Sequence, residues 1–178
     1  NCFIKDGFFH DMSHSGINPY LTLYVAQILL RANDERYYPV MKRIADVATP
    51  TGQWPEAIHP QIEGGCMGDG QHAWAAAEWV IMIRNCFVRE EGPRLVLGAG
   101  VHPSWYEDQP ASFGPALTQW GEISIKIQKI DEESKIEWTA QWHDGQPNIE
   151  IRLPGHEPLN PKKGSTSAIL QSERPTIS

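Results

Sequence analysis

Carboxylates, imidazoles and indoles are interleaved in one stretch, GQWPEAIHPQIEGGCMGDGQHAWAAAEW, residues 52–79. Glu56 follows Trp54-Pro55. A carboxylate beside an indole and a proline ring can be partly desolvated, which raises its pKa toward the range of a general acid or base. The same pattern also suits a surface glutamate next to a buried tryptophan. Glu63 and Asp69 are rival acids in the same loop. Glycines 64, 65, 68 and 70 permit positive φ and close approach of backbone to a ligand. Asp69 is placed to cap a helix expected to open at Gln71, and His72 falls in its first turn, facing whatever the loop encloses. No lysine follows the glycines in GxxxxGK[ST] order, so a phosphate-binding loop is excluded. Trp54, Trp74 and Trp79 add aromatic faces to this acidic loop, a pairing that suits the C–H faces of sugar rings.

A second constellation is FFHDMSHSG, residues 8–16. His10 and His14 stand four apart with Asp11 between them. The helical zinc motif needs a glutamate after its first histidine and a continuous helix. Ser13, Ser15 and Gly16 favour a turn instead, so no metal is assigned. Two readings remain: a capping loop with solvated imidazoles, or polar groups lining a pocket for a hydroxylated ligand. The three cysteines, Cys2, Cys66 and Cys86, lack the spacing of a disulfide framework or zinc ribbon. Cys86 lies in an apolar helical pattern and reads as core.

The elements that must hold these residues change character near Glu91-Gly92-Pro93. Before it, apolar residues recur at helical spacing. Asn18 is a candidate N-cap with Pro19 at the first helical position, and Leu21, Val25, Ile28, Leu29 and Ala32 share a face. Val40, Met41, Ile44, Val47 and Ala48 line a second helix after a very short connection, while Lys42, Arg43 and Asp46 point outward. Residues 18–48 thus read as a helical hairpin. A polar loop follows, about Thr49 to Gly70, and loops of this length in compact domains are usually functional. The next helix, expected over Gln71–Glu90, is apolar nearly all round and should be buried on most sides. After Pro93 the period becomes two: Ile123, Ile125 and Ile127 alternate with polar residues, as do Ile136, Trp138, Ala140 and Trp142, with turns at DEES and DGQP. From His156 the polar, Pro- and Ser-rich composition predicts an extended or disordered tail.

This ordered set resembles the C-terminal part of the six-hairpin glycosidases, in particular their α-L-rhamnosidase-like branch. The likeness rests on Trp54-Pro55-Glu56, on HAWAAAEW at residues 72–79, and on the β-rich segment that opens with RLVLGAGV, and it covers about residues 1–153. Pro55 separates the indole from the acid where that family has a Trp-Glu pair. The resemblance implies an α+β chain: residues 1–92 as the last helical hairpins of an (α/α)6 toroid, residues 93–155 as an antiparallel β-sandwich-like module, and residues 156–178 as a tail. It implies Glu56 as the general base of a glycoside hydrolase of inverting type, in which a second carboxylic acid stands about 6.5–9.5 Å away. That acid is expected on an earlier hairpin outside this chain, so the segment alone should be inactive. His10, Asp11, His14, Trp54, Asp69, His72 and Trp74 are expected to line the sugar cavity, with no cofactor and no metal.

Two further classes suit the same residues. One is a non-catalytic carbohydrate-binding or scaffolding module. The other is a toroid-type polysaccharide lyase or epimerase, with His10, His14 or His72 as base. The formal charge of −7 argues against nucleic acid and anionic membrane as partners, and no apolar run is long enough to span a bilayer. The expected partners are a carbohydrate, the remainder of the parent chain, and a second copy meeting exposed toroid helices around residues 71–90. The chain opens without an initiator methionine, so a targeting signal is not observable; a cytoplasmic setting is slightly favoured.

Overall fold

The computed structural model describes residues 2–10 and 16–171. The chain is mixed α+β, with three α-helices and several antiparallel sheets among the described residues. It divides into two compact units, Asn1–Ile83 and Arg84–Ser178.

In the first unit, strands appear where the sequence pattern suggests only loops. Strands β1 (Phe3–Ile4), β2 (Gly7–His10), β3 (Gly16–Ile17), β4 (Ala57–Ile58) and β5 (Gly65–Met67) form a five-stranded antiparallel sheet in chain order. The first hairpin turns on Lys5 and Asp6, both at positive φ (47° and 59°). Gly7 leaves room for Ile17, whose side chain would stand 2.5 Å from a Cβ at that position. The Thr49–Gly70 loop is therefore not structureless. Its β4–β5 hairpin is closed by His59 N–H to the Gly64 carbonyl and Glu56 N–H to that of Met67. Strands of two or three residues are too short to show a period of two.

Helix α1 spans Pro19–Arg31 and α2 spans Tyr37–Asp46. Asn18 occupies the N-cap position and Pro19 opens α1, as expected, yet the Asn18 side chain makes no cap bond. At the other end Asn33 (φ 54°) replaces the usual glycine: its N–H reaches the Leu30 carbonyl, and that of Asp34 reaches Leu29. The face of α1 differs from the expected one. Tyr20, Leu23, Ala26 and Leu30 are buried, whereas Ile28 is 66% exposed. Alpha-2 follows expectation, with Val40, Met41 and Ile44 buried. Arg43 does not point freely outward; its guanidinium donates to Glu63 at 2.8 Å, and Lys5 reaches the same carboxylate at 3.3 Å.

Helix α3 spans Ala73–Phe87, two residues later at its start than expected and three shorter at its end. Val88 begins a strand because Gly92, at φ 56°, turns the chain back on itself. Beta pairing then satisfies the backbone groups a longer helix would have used. Burial on α3 is one-sided: Ala75, Glu78 and Met82 are covered, while Trp74, Val80 and Ile81 are 48%, 64% and 42% exposed. The sequence pattern had suggested cover on most sides.

The second unit holds two sheets. Strands β8 (Ala111–Thr118), β9 (Gly121–Ile130), β10 (Glu133–Trp142) and β12 (Ser167–Gln171) make an antiparallel sheet in the order β12-β10-β9-β8. Ile123, Ile125 and Ile127 face one side with Ile136 and Trp138, in register as Ile127↔Ile136 and Ile125↔Trp138, and all are buried. Strands β6 (Val88–Glu91), β7 (Arg94–Leu97) and β11 (Asn148–Ile151) form a second sheet, in which β11 runs parallel to β7. That parallel pair departs from the purely antiparallel expectation; the long excursion through β8–β10 supplies the crossover such a pair needs. Within the predicted tail a Leu159–Ile151 bridge and β12, which pairs with β10, hold residues to the second unit.

Candidate functional site

The site grows from three helix-terminal residues of the first unit and one loop acid. Tyr20 lies in the opening turn of α1, His72 just ahead of α3, and Trp74 in its first turn. His72 N–H is held by the Trp54 carbonyl at 2.8 Å, which fixes where α3 starts. The imidazole then caps the helix: Nδ1 accepts from Ala75 N–H at 3.3 Å. Asp69 was expected in that role. Its Oδ1 accepts instead from Gln71 N–H at 3.0 Å, turning the exposed chain toward His72 without capping α3. A ring whose Nδ1 accepts carries its proton on Nε2, so His72 offers an N–H donor on its other edge.

Three rings gather at this point. The Tyr20 ring centroid stands 5.1 Å from that of His72 and 4.5 Å from that of Trp74, stacked on the indole at 24°. Trp74 Nε1–H donates to the Tyr24 hydroxyl at 3.0 Å, with the two rings edge to face at 6.2 Å.

Glu56 joins the group through its backbone and its charge. Asn18 is fully buried and donates from Nδ2 to the Glu56 carbonyl at 3.1 Å. The Asn18 side chain, released from capping, thus ties the start of α1 to the loop. Its Oδ1 is buried without a hydrogen-bond partner among the described residues. A Cβ at position 68 would meet Glu56 N at 3.1 Å and its Cβ at 3.3 Å, so Gly68 (φ 80°) is the residue that allows Glu56 its place. Burial raises the pKa of the Tyr20 phenol, and the Glu56 carboxylate raises it further. The two side chains are therefore electrostatic neighbours. A half-buried carboxylate, an imidazole N–H and a stack of aromatic rings together can hold a hydroxylated ring and move one proton.

The remaining predicted residues are placed differently. Trp54 is 4% exposed, and its Nε1–H donates to the Ile44 carbonyl at 2.7 Å, one of the carbonyls left open at the end of α2. Its ring lies 5.5 Å from that of Trp79. Trp54 is a packing residue with no ring face open for a sugar. His10 ends β2, half-buried and opposite Gly16. Asp11 and His14 lie outside the described residues. Among the described residues, no three His, Cys, Asp or Glu side chains gather as a metal site. Two hollows in the second unit, about 160 Å³ beside Tyr106 and Ser134 and about 580 Å³ over Ser124 and Thr139, are lined by none of the candidate site residues.

Sequence reasoning missed Tyr20, Tyr24 and Asn18. The signal was present: Tyr20 and Tyr24 are one helical turn apart, directly behind an Asn-Pro helix start. Nothing in the spacing ties the two tyrosines to the loop, and Asn18 reads only as an N-cap. Comparison with the models of known protein families, with curated proteins and with solved structures finds no match for this chain.

Proposed function

We propose that the chain supplies part of the sugar cavity of a glycoside hydrolase, with Glu56 as general base. The observation that carries this reading is the stack of Tyr20 with His72 and Trp74, on which the Glu56 charge acts through the Tyr20 phenol. In this reading a water oxygen attacks the anomeric carbon as Glu56 takes its proton. The glycosidic C–O bond breaks, and the leaving oxygen receives a proton from an acid carried outside these residues. The segment alone then lacks turnover.

The finer fold reading belongs to the same proposal. Residues 1–92 would be the last hairpins of an (α/α)6 toroid. Support comes from α1 and α3, each of which buries one face and leaves apolar side chains open on another. Residues 93–155 would be a sandwich-like module. Its support is the close approach at Gly98, where a Cβ would meet Leu153 at 2.5 Å and Ile127, of the four-stranded sheet, at 3.5 Å.

The test is Glu56→Gln in the longest natural chain that carries this segment, assayed on a panel of aryl glycosides. Loss of the base should lower kcat by about 100-fold or more, with KM little changed. Hydrolysis at the parent rate would remove Glu56 from the chemistry. Sugar binding without any hydrolysis by the unmutated chain would favour a carbohydrate-binding module instead.

A further inference from the structure

Resting on the reading of Glu56 as base, we infer that Asn18 is the positioning residue of that base: its side chain forgoes the cap of α1 and tethers the Glu56 backbone to the start of the helix that carries Tyr20. Residue 18 does not need its side chain to keep its own place. Its N–H donates to the Phe8 carbonyl at 3.1 Å. Its carbonyl accepts from the Thr22 N–H at 3.0 Å and from the Thr22 hydroxyl at 2.8 Å. Nor does the side chain serve the helix, since it makes no cap bond. The hydrogen bond it makes among the described residues runs from Nδ2 to the Glu56 carbonyl, at 3.1 Å. A carbonyl only accepts, so the amide cannot turn its oxygen toward the helix N–H groups by flipping without losing that bond.

As scaffolding alone this arrangement is unfavourable. Asn18 is fully buried, and its Oδ1 has no hydrogen-bond partner among the described residues. A buried acceptor left open is disfavoured, whereas a serine at an N-cap satisfies a helix N–H and buries less polar surface. What the amide secures is Glu56. The Glu56 N–H donates to the Met67 carbonyl at 3.1 Å, and the Glu56 carbonyl accepts from Asn18. Gly68 closes in beside it, so near that a Cβ there would stand 3.3 Å from the Glu56 Cβ. With its N–H and its carbonyl both held, the residue sends its side chain off in a fixed direction, whatever else the carboxylate touches. Tyr20 lies two positions beyond Asn18, on α1, and its phenol feels the Glu56 charge. One short span of chain thus holds the base and carries the ring beside it.

Two measurements test the tether, and the first needs no sugar. It is a double-mutant cycle on the Tyr20 titration, with the parent, Glu56→Gln, Asn18→Ser and the double variant compared by ring-carbon NMR. In the parent background, removing the Glu56 charge lowers the Tyr20 midpoint. In the Asn18→Ser background that drop should shrink to about half or less, because the carboxylate is no longer held in place. Serine adds no charge and caps helices as well as asparagine does. A residue that served only to start α1 would therefore leave the drop unchanged. The cycle is repeated with Asn18→Asp, whose added charge cancels in the difference, so that one folded variant of the two suffices.

The second measurement is turnover of aryl glycosides by the longest natural chain that carries this segment. Asn18→Asp keeps the shape of the side chain and can cap, but it has no NH2 to donate. It should lower kcat about tenfold with KM little changed, as a misplaced base does, and Asn18→Ser should do the same. An undiminished Tyr20 drop in the Asn18 variants overturns the tether, whatever the turnover. Where Glu56→Gln abolishes turnover, parent kcat in both Asn18 variants overturns it as well. Should Glu56→Gln turn over at the parent rate while Asn18→Ser still shrinks the Tyr20 drop, the tether stands and only the catalytic reading falls.

Discussion

Glu56 and Tyr20 offer a test of the site that needs no substrate. Burial is the larger cause of the raised Tyr20 pKa, and the Glu56 carboxylate adds to it by disfavouring a second negative charge. Glu56→Gln removes that charge and leaves the volume nearly unchanged. Tyr20 should then ionise at lower pH than in the parent, while staying above the ordinary tyrosine value near 10 because burial persists. The sign for stability follows: a phenol whose folded pKa is raised contributes stability that is fully present below the unfolded value and is lost as pH climbs through the folded one. Ring-carbon NMR of labelled tyrosine between about pH 9 and 12 reads the shift directly. If Tyr20 titrates identically in the two proteins, the carboxylate does not face the phenol and the cluster described above dissolves. The same residue shows what sequence reading can and cannot reach. Glu56, His72 and Trp74 stand out by type within one continuous stretch, residues 52–79. Tyr20 does not, because it joins them from far away in the chain, through a stacking contact with Trp74 and not a motif.

At the scale of elements, legibility followed the length of the pattern. The alternation in β9 and β10 runs for ten residues each, and their buried faces are the expected ones. The β1–β5 sheet is built from pieces of two to four residues and left no trace beyond a Lys-Asp-Gly turn. In α1 the apolar residues are plentiful on two faces, so periodicity alone could not say which one the fold would cover. The DGQP turn is followed by β11, whose parallel partner is not legible in the sequence, since direction depends on the crossover and not on composition. Its Glu150 gives this sheet a pH signature. Arg152 Nε donates to Glu150 Oε1 and Arg94 Nη1 to Oε2, each at 2.6 Å, while Arg152 also reaches Glu91. The Arg152 hydrogen bond is the main reason the Glu150 pKa lies below its usual value, with the charges of Arg152 and Arg94 adding to it against burial. Between that lowered value and the ordinary glutamate value near 4.3, the unfolded chain binds a proton that the folded chain refuses. Stability from Glu150 is therefore present above about pH 4.3 and drains as pH falls through the folded value. In urea titrations from about pH 6 to pH 3, the parent should lose its advantage over Glu150→Gln as pH falls. A constant gap over that range would show that these ion pairs do not bias folding.

For the whole molecule, the open question is what covers the apolar helix faces. Ile28 on α1 and Val80 and Ile81 on α3 are 66%, 64% and 42% exposed. Single exposed apolar residues are ordinary, but several on two neighbouring helices form a surface that water does not favour. Such faces were anticipated from the sequence, because two or three helices cannot bury one as apolar as α3. Which side of α1 would stay open was not, since that depends on how the β1–β5 sheet claims the other. In a ring of helical hairpins these faces would meet further helices. In the chain by itself they should meet one another. The formal charge of −7 opposes association at low salt and is screened at higher salt, so association should strengthen as salt rises. Sedimentation at increasing concentration should show a rising mean mass. The double change Ile28→Asp with Val80→Asp should return the chain to a monomer. Because both side chains are exposed, each substitution should alter folding stability by no more than about 0.5 kcal/mol. A longer chain that supplies the missing helices should stay monomeric with both residues intact. A strictly monomeric 178-residue chain at all concentrations and salts would mean that these faces are tolerated open, and would remove the main support for a larger helical ring.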